Sequence, residues 1–351
     1  MTTDVLIIGQ GICGTFLGRE LDRAGLSFLV IDEERPSTAS RVAAGLINPV
    51  TGRRVVKTWM IDELLPFVRE AYGEWDENLL RPVGIVDFFP TVQMRLAFLK
   101  RIEESGAYLR LPADDRRWDE LFGYELGFGI IDTCYLVDMP RLLAQGRAEL
   151  AAKGKLREEP FISADLAVGP RMVQYRDIDA SWIIFCDGIN SADQGFFSRL
   201  PFAPNKGEAL VIEAPDLREN EFVFKRGLNL TPWKEGLYWA GSSYEWSFSN
   251  PDPTAAFRER TEAQLRNWLK VPFRTVEHVA SVRPATVERR PFVGLHPGQP
   301  AVGILNGMGT KGCTLAPFFA RQLAKLLVHG EPVMPEADVG RFRNLLGTGR
   351  K

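Results

Sequence analysis

Six residues near the start of the chain, Gly9-Gln10-Gly11-Ile12-Cys13-Gly14, place three glycines at the spacing G-x-G-x-x-G. That spacing carries chemistry when it joins a strand to a helix. Both are supplied here: Val5-Leu6-Ile7-Ile8 is a β-branched and leucine run, and Phe16, Leu17, Leu21 and Ala24 recur at helical spacing. In such a turn Gly9 permits the tight bend, Gly11 lets the backbone approach a pyrophosphate at the helix N-terminus, and Gly14 lets the helix pack closely on the strand. Asp32 ends a second apolar run, Phe28-Leu29-Val30-Ile31, where a carboxylate accepts ribose hydroxyls. Ile12, Cys13 and Glu33 fall within the same candidate site. The chemistry is dinucleotide binding, and this motif alone does not separate a nicotinamide from a flavin.

A second glycine-rich turn, Gly307-Met308-Gly309-Thr310-Lys311-Gly312, lies between the apolar run Ala301 to Leu305 and a helical pattern from Leu315 to Val328. Backbone N–H groups and a helix N-terminus at such a turn suit negative charge developing on a bound ring, and Lys311 adds a cation. Arg283, between an apolar run and Pro284, offers a bidentate fork for a carboxylate or the cation of a structural ion pair. Tyr244, Trp246 and Trp239 read as an aromatic pocket for an amine or as core. The four cysteines (Cys13, Cys134, Cys186, Cys313) form no C-x-x-C pair, and His278, His296 and His329 have no metal-ligand spacing. No metal is expected, Cys13 reads as a packed thiol, and His278 as an ordinary strand residue.

The elements that must position these groups follow from periodicity. A strand–helix–strand unit fills the first 32 residues; Asp62 to Trp75 and Met139 to Lys153 read as helices, and Trp182 to Cys186 as a buried strand. Short aromatic strands and turns are expected from Pro82 to about Tyr135, and alternating antiparallel strands from about 205 to 280. At 351 residues the chain is long enough for about two domains. The 43 Lys+Arg against 45 Asp+Glu leave a net charge of −2, which gives no field for polyanions, so Arg53-Arg54 with Lys57 and Arg289-Arg290 read as solvated surface. With 45% hydrophobic and 25% charged residues, disordered, collagenous and coiled-coil classes are excluded. No uncharged apolar stretch reaches the ~20 residues of a bilayer span, and the opening Met-Thr-Thr-Asp lacks the basic region of a signal peptide. With the dispersed cysteines, this leads to the expectation of a soluble, cytoplasmic protein.

Four separated segments make the chain resemble the D-amino-acid-oxidase-like superfamily of FAD enzymes, which includes glycine and sarcosine oxidases. They are the N-terminal fingerprint; Ser37 to Pro49, similar to the family's S-x-x-A-x-G loop; Cys186-Asp187-Gly188-Ile189-Asn190-Ser191; and Ser281 to Thr286 with Pro291 to Gly294 and the turn at 307 to 312. Two further stretches, Gly241-Ser242-Ser243-Tyr244-Glu245 and the 307 to 312 turn, are similar to the FAD domain of bifunctional enzymes that strip a carboxymethyl group from a tRNA uridine. The resemblance implies an α/β fold, a Rossmann-like FAD/NAD(P)-binding domain at 1–80, 136–204 and 281–351 with an inserted antiparallel β-sheet substrate domain at 81–135 and 205–280. It implies noncovalent FAD held by Gly9, Gly11, Ile12, Cys13, Gly14, Asp32, Glu33, Ser40, Arg41, Ala44, Gly45, Leu46, Asn48, Cys186, Asp187, Gly188 and residues 307 to 312. Arg283, Tyr244 and Lys311 become the expected catalytic residues, Arg283 clamping a substrate carboxylate. The expected reaction is oxidation of the C–N bond of a small amine or amino acid, with hydride passing to flavin N5 and oxygen or another acceptor taking the electrons. The alternatives are demodification of tRNA, with nucleic acid disfavoured by the charge balance, and a catalytically silent flavin-binding module.

Overall fold

In the computed structural model, which describes residues 1–347 apart from 115, 194 and 235, the apolar runs at both ends of the chain converge in one sheet. Thr2–Ile8 lies between Phe28–Ile31 and Ile178–Phe185, parallel to both, with Val5 opposite Phe28 and Trp182. Gln299–Asn306 continues the parallel set beside Ile178–Phe185, and Phe292–His296 pairs with it antiparallel. Strands covered on both faces read as uninterrupted Val/Ile/Leu runs, and Val5, Leu6 and Ile7 are fully buried. Two helices complete the frame, Ile12–Ala24 ending at Gly25 in the left-handed region and Gly312–His329 ending the same way at Gly330.

This first unit comprises Met1–Val42, Met139–Asn205 and Val282–Lys351, and the second comprises Ala43–Asp138 and Lys206–Ser281. The division falls at 42/43, where the sequence reading put it at 80/81. The reason is Leu46–Ile47, a two-residue strand that pairs with Leu136 and Tyr135 and so ties the segment after Val42 into the second sheet. Two residues are too few to carry a periodicity. Gly45, at φ 78°, makes the approach possible: a Cβ there would overlap the carbonyl oxygen of Val137.

The second sheet runs in the order Arg274–Arg283, Asn205–Glu213, Leu237–Gly241, Leu228–Pro232, Phe222–Arg226, Leu80–Phe88, Phe128–Val137, Leu46–Ile47. Its pairings are antiparallel wherever a register is defined, except between Phe222–Arg226 and Leu80–Phe88. Its core is aromatic: Phe122 sits 5.1 Å from Phe88, 4.4 Å from Phe224 and 5.1 Å from Trp268 between ring centroids. Two helices here were not expected, Val92–Glu104 and Ala255–Arg266, each opened by a threonine whose Oγ accepts a backbone N–H, Thr91 from Met94 and Thr254 from Phe257. They occupy stretches whose aromatic and alternating neighbours read as strands. Ile61–Gly73 and Met139–Ala152 fall close to their expected bounds, and the closing helix begins at Gly312 rather than Leu315. Among the described residues no helix is long and apolar enough to cross a membrane.

Candidate functional site

The fingerprint turn is held by its glycines. Gly9 stands at φ 97° and its N–H donates to Ile31 O at 2.9 Å; a Cβ there would lie 2.7 Å from Cys186 O. A Cβ on Gly14 would overlap the carbonyl oxygen of Gly9. Gly11 is the N-cap of the helix Ile12–Ala24, with no side-chain cap and no acidic residue in the first turn, so the positive end of the helix dipole stays open to an anion. Ser40 reaches the first turn beside it, its Oγ accepting from Ile12 N at 3.1 Å. Arg41 turns away to pair with Glu34 at 3.3 Å.

Asp32 is where its spacing placed it, and its carboxylate is already oriented. Oδ2 accepts from Gln10 N at 2.8 Å, while Oδ1 accepts from Glu34 N at 2.8 Å and from Arg147 Nη1 at 2.9 Å. Arg147, from the helix Met139–Ala152, also pairs with Glu34 and Glu158, each at 3.1 Å. Burial works against its charge, but the hydrogen bond to Glu158 and the fields of Glu34 and Asp32 outweigh it and hold its pKa above the ordinary arginine value. No sequence signal marked Arg147, because two of its partners, Asp32 and Glu34, lie more than a hundred residues away along the chain. Glu33 is exposed and pairs with Arg35 at 2.6 Å.

Three further turns of the first unit meet through hydrogen bonds. Cys186 N donates to Ile8 O at 2.8 Å. Burial raises Asp187 to a pKa of about 6, against the lowering effect of the Ser191 hydroxyl that donates to its Oδ1. Asn306, missed in the sequence, links two of the turns: its Nδ2 donates to Gly188 O at 2.7 Å and its Oδ1 accepts from Gly307 N at 2.8 Å. Gly307 and Gly309 have φ of 79° and 55°, and Gly309 N donates to Pro284 O at 3.3 Å. Met308 is buried and Thr310 exposed, while Lys311 is the N-cap of Gly312–His329 without a side-chain cap or acidic first turn. Thr286, buried, accepts at Oγ from Arg290 N at 3.1 Å and donates to Arg290 O at 2.8 Å, which fixes the 286–290 turn; Glu288 pairs with Arg341 at 3.4 Å.

Arg283, half-buried at the end of Arg274–Arg283, donates from Nη1 to Asn205 Oδ1 at 2.6 Å. In the second unit, Tyr244 and Trp246 are 59% and 61% exposed beyond the strand Leu237–Gly241, whereas Trp239 is buried in it. Ala44, Gly45, Leu46 and Asn48 also belong to this unit, where Val137 N donates to Gly45 O at 3.0 Å and Thr58 Oγ to Asn48 O at 3.2 Å. Burial lifts the Cys13 and Cys313 thiols to about 12, and Cys313 lies against Met139 Sδ at 3.5 Å, so neither is an activated nucleophile for covalent flavin attachment.

His278 differs from its bland expectation. Its Nε2 lies 3.0 Å from Glu208 Oε2 in a closed cluster with Lys206, which stands 3.4 Å from Glu208. Burial is the main influence on His278 and lowers its pKa, with Glu208 acting the other way.

The first unit therefore fits the FAD expected from the sequence. It has glycine cradles that a Cβ would fill, two helix N-termini free of their own acidic residues, and an oriented carboxylate at the ribose position. Residues 4–326 match the family described as FAD dependent oxidoreductase, DAO. The chain is 26% identical to a glycine oxidase of Pseudomonas aeruginosa, over 97% of this chain and all of that protein. It is 22% identical, over 92% of this chain and 55% of that protein, to the bifunctional protein of tRNA 5-methylaminomethyl-2-thiouridine biosynthesis of Marinobacter nauticus. Among solved structures, iminodiacetate oxidase from Chelativorans sp. BNC1 superimposes with a TM-score of 0.73 at 24% identity, over 94% of this chain and 96% of that one.

Proposed function

The chain belongs to the DAO family of FAD dependent oxidoreductases, and from that premise we propose that it oxidises the C–N bond of a small amine or amino acid carrying a carboxylate. The observation that carries this reading is Arg283, a half-buried guanidinium that donates from Nη1 to the buried amide of Asn205 at 2.6 Å. Such a group binds a carboxylate through two parallel charge-assisted bonds and so fixes the carbon beside it. Bound FAD supplies the hydride acceptor. Asp32 and the N-terminus of Ile12–Ala24 would hold its ribose and pyrophosphate. The capless N-terminus at Lys311 and Gly312 stabilises negative charge that builds during the reaction. The substrate would leave as an imine, its hydride taken by the bound cofactor and its nitrogen proton by water, and hydrolysis would then give a carbonyl and ammonia or an amine. The relatives named for glycine and iminodiacetate support small amino carboxylates as the first substrates to try, with oxygen as the first electron acceptor. Four free cysteines fit the reducing cytoplasm.

The test is Arg283→Ala in the FAD-loaded enzyme. Losing two charge-assisted bonds is expected to raise KM for the amino acid that bleaches the flavin about 100-fold, with the yellow flavin retained. A variant that folds but loses its flavin would move Arg283 into the cofactor site and overturn the reading. Reduction of the flavin by carboxymethylaminomethyl-uridine, and by no amino acid, would favour the tRNA reaction instead.

A further inference from the structure

We propose that Arg147 is the built-in counterion of the FAD site: its guanidinium lets three carboxylates stand beside the turn for the pyrophosphate, and so keeps FAD bound. The inference rests on FAD occupying the first unit and not on the identity of the substrate.

Asp32, Glu34 and Glu158 converge on Arg147 at 2.9, 3.1 and 3.1 Å. Asp32 also accepts from Gln10 N at 2.8 Å, and Gln10 lies between the first two glycines of the fingerprint. The carboxylates therefore touch the turn whose N–H groups suit two phosphates. Arg41 adds a second cation, 3.3 Å from Glu34. With both arginines in place the cluster carries an excess of one negative charge, and without Arg147 an excess of two. Orientation is not what Arg147 adds, because Asp32 is already held by two backbone donors, Gln10 N on Oδ2 and Glu34 N on Oδ1, each at 2.8 Å. The backbone supplies no full positive charge, and a guanidinium supplies a permanent one with five donors to share among three carboxylates.

The helix Met139–Ala152 holds that charge in place. Residues 139, 143 and 147 recur every four positions and share one face. Met139 Sδ lies 3.5 Å from Cys313 Sγ beyond the second glycine turn, Leu143 O accepts from Gln10 Nε2 at 3.1 Å in the first, and Arg147 reaches Asp32. The Arg147 side chain is only 10% exposed, and those of its three partners are all more open. The cation is thus the least screened member of the cluster.

The experiment titrates FAD into apoprotein and follows flavin fluorescence for the parent, Arg147→Gln, Arg147→Lys, Glu158→Gln, and Arg147→Gln combined with Glu158→Gln. Each Kd is measured at about 0.01 M and about 1 M salt, where the screening length is about 30 Å and about 3 Å. Adenosine, which carries the ribose without the phosphates, is measured as a competitor of FAD. Relative to the parent, Arg147→Gln should raise the FAD Kd at least about 10-fold at low salt and less than about 3-fold at high salt, with the adenosine Kd changed less than about 3-fold. Adding Glu158→Gln should recover at least about 3-fold of the low-salt loss, and Arg147→Lys, which keeps the charge, should stay within about 3-fold of the parent. Equal losses at both salts, equal losses for FAD and adenosine, or no recovery from Glu158→Gln would each overturn the proposal, because they mark a residue that only holds the fold. If Arg147→Gln does not fold, Glu158→Gln in the parent decides: it should tighten FAD about 2-fold or more at low salt and not at high salt. An unchanged or weakened low-salt Kd in that variant would overturn the proposal as well.

Discussion

Each unit buries a cluster of charge, and the two are built in opposite senses. In the first, one guanidinium, Arg147, faces three carboxylates, and the side chains of Asp32, Glu34 and Glu158 remain 18%, 47% and 62% exposed. In the second, Glu208 is fully enclosed and Lys206 nearly so. Every oxygen of Glu208 is met from within: Thr254 N donates to it at 2.6 Å, the Thr254 hydroxyl at 2.9 Å, and His278 Nε2 approaches at 3.0 Å. An excess of wetted carboxylate beside an open helix N-terminus leaves acceptors free for ligand hydroxyls. A closed, internally compensated cluster leaves nothing to offer and braces the helix Ala255–Arg266 against its sheet.

The largest effect follows from breaking the closed cluster. Glu208→Ala strands the buried Lys206 ammonium, and removing one partner of a buried pair costs about 3–5 kcal/mol, read as a lowered urea midpoint. The matching change in the open cluster, Asp32→Asn, should cost less, about 1 kcal/mol of stability, because Arg147 keeps two other carboxylates, both open to solvent. Its effect should appear as an FAD dissociation constant raised about 10-fold or more, since bonds from ribose hydroxyls to a charged acceptor contribute about 1.5–3 kcal/mol each. Equal stability losses in the two variants would erase the distinction.

The glycine turn and Asp32 beside the open cluster were legible in the sequence and the closed cluster was not, for a physical reason. Gly9, Gly11, Gly14 and Asp32 act through local backbone geometry, so their spacing along the chain is itself the signal. The parallel strands were legible because burial on both faces writes an unbroken apolar run. Lys206 and Glu208 stand on a strand in the stretch read as alternating, and Thr254, which opens a helix far along the chain, closes on Glu208. That helix and Val92–Glu104 did carry a signal, a threonine cap ahead of each, which the surrounding aromatic and alternating patterns outweighed. Arg147, Asn205 and Asn306 owe their roles to partners far along the chain, which no local pattern records.

Asp187 sharpens the comparison as a further carboxylate, half-buried and accepting from the Ser191 hydroxyl. Its pKa rises from the unfolded 3.8 to about 6. Between those values the folded state holds a proton that the unfolded state has released, so stability is fully present below about pH 4 and is lost as pH rises to about 6. The loss is at most about 3 kcal/mol, from about 1.4 kcal/mol per pKa unit. Asp187→Asn should therefore flatten the pH dependence of apoprotein unfolding between pH 4 and 6 and stabilise the protein at pH 7. A wild-type curve that climbs with pH as steeply as before in the variant would show that Asp187 is ionised in the fold.

The smallest effect tests whether the closed cluster works as a brace. Thr254 caps Ala255–Arg266 by accepting from Phe257 N at 3.3 Å, and the same hydroxyl donates to Glu208 Oε1 at 2.9 Å. Thr254→Ala removes both bonds and should cost about 1–2 kcal/mol, the upper part of the range for a lost cap, while Thr254→Ser should restore most of it. If Glu208 holds the helix through this hydroxyl, the two residues are one unit, and their effects will not add. In the Glu208→Ala background, Thr254→Ala should then cost about 0.5–1 kcal/mol, the cap alone, giving a coupling of at least about 0.5 kcal/mol in a double-mutant cycle of urea midpoints. Additivity within about 0.3 kcal/mol would mean that the cap and the buried carboxylate stabilise the helix independently, and Glu208 would then serve chiefly to compensate Lys206.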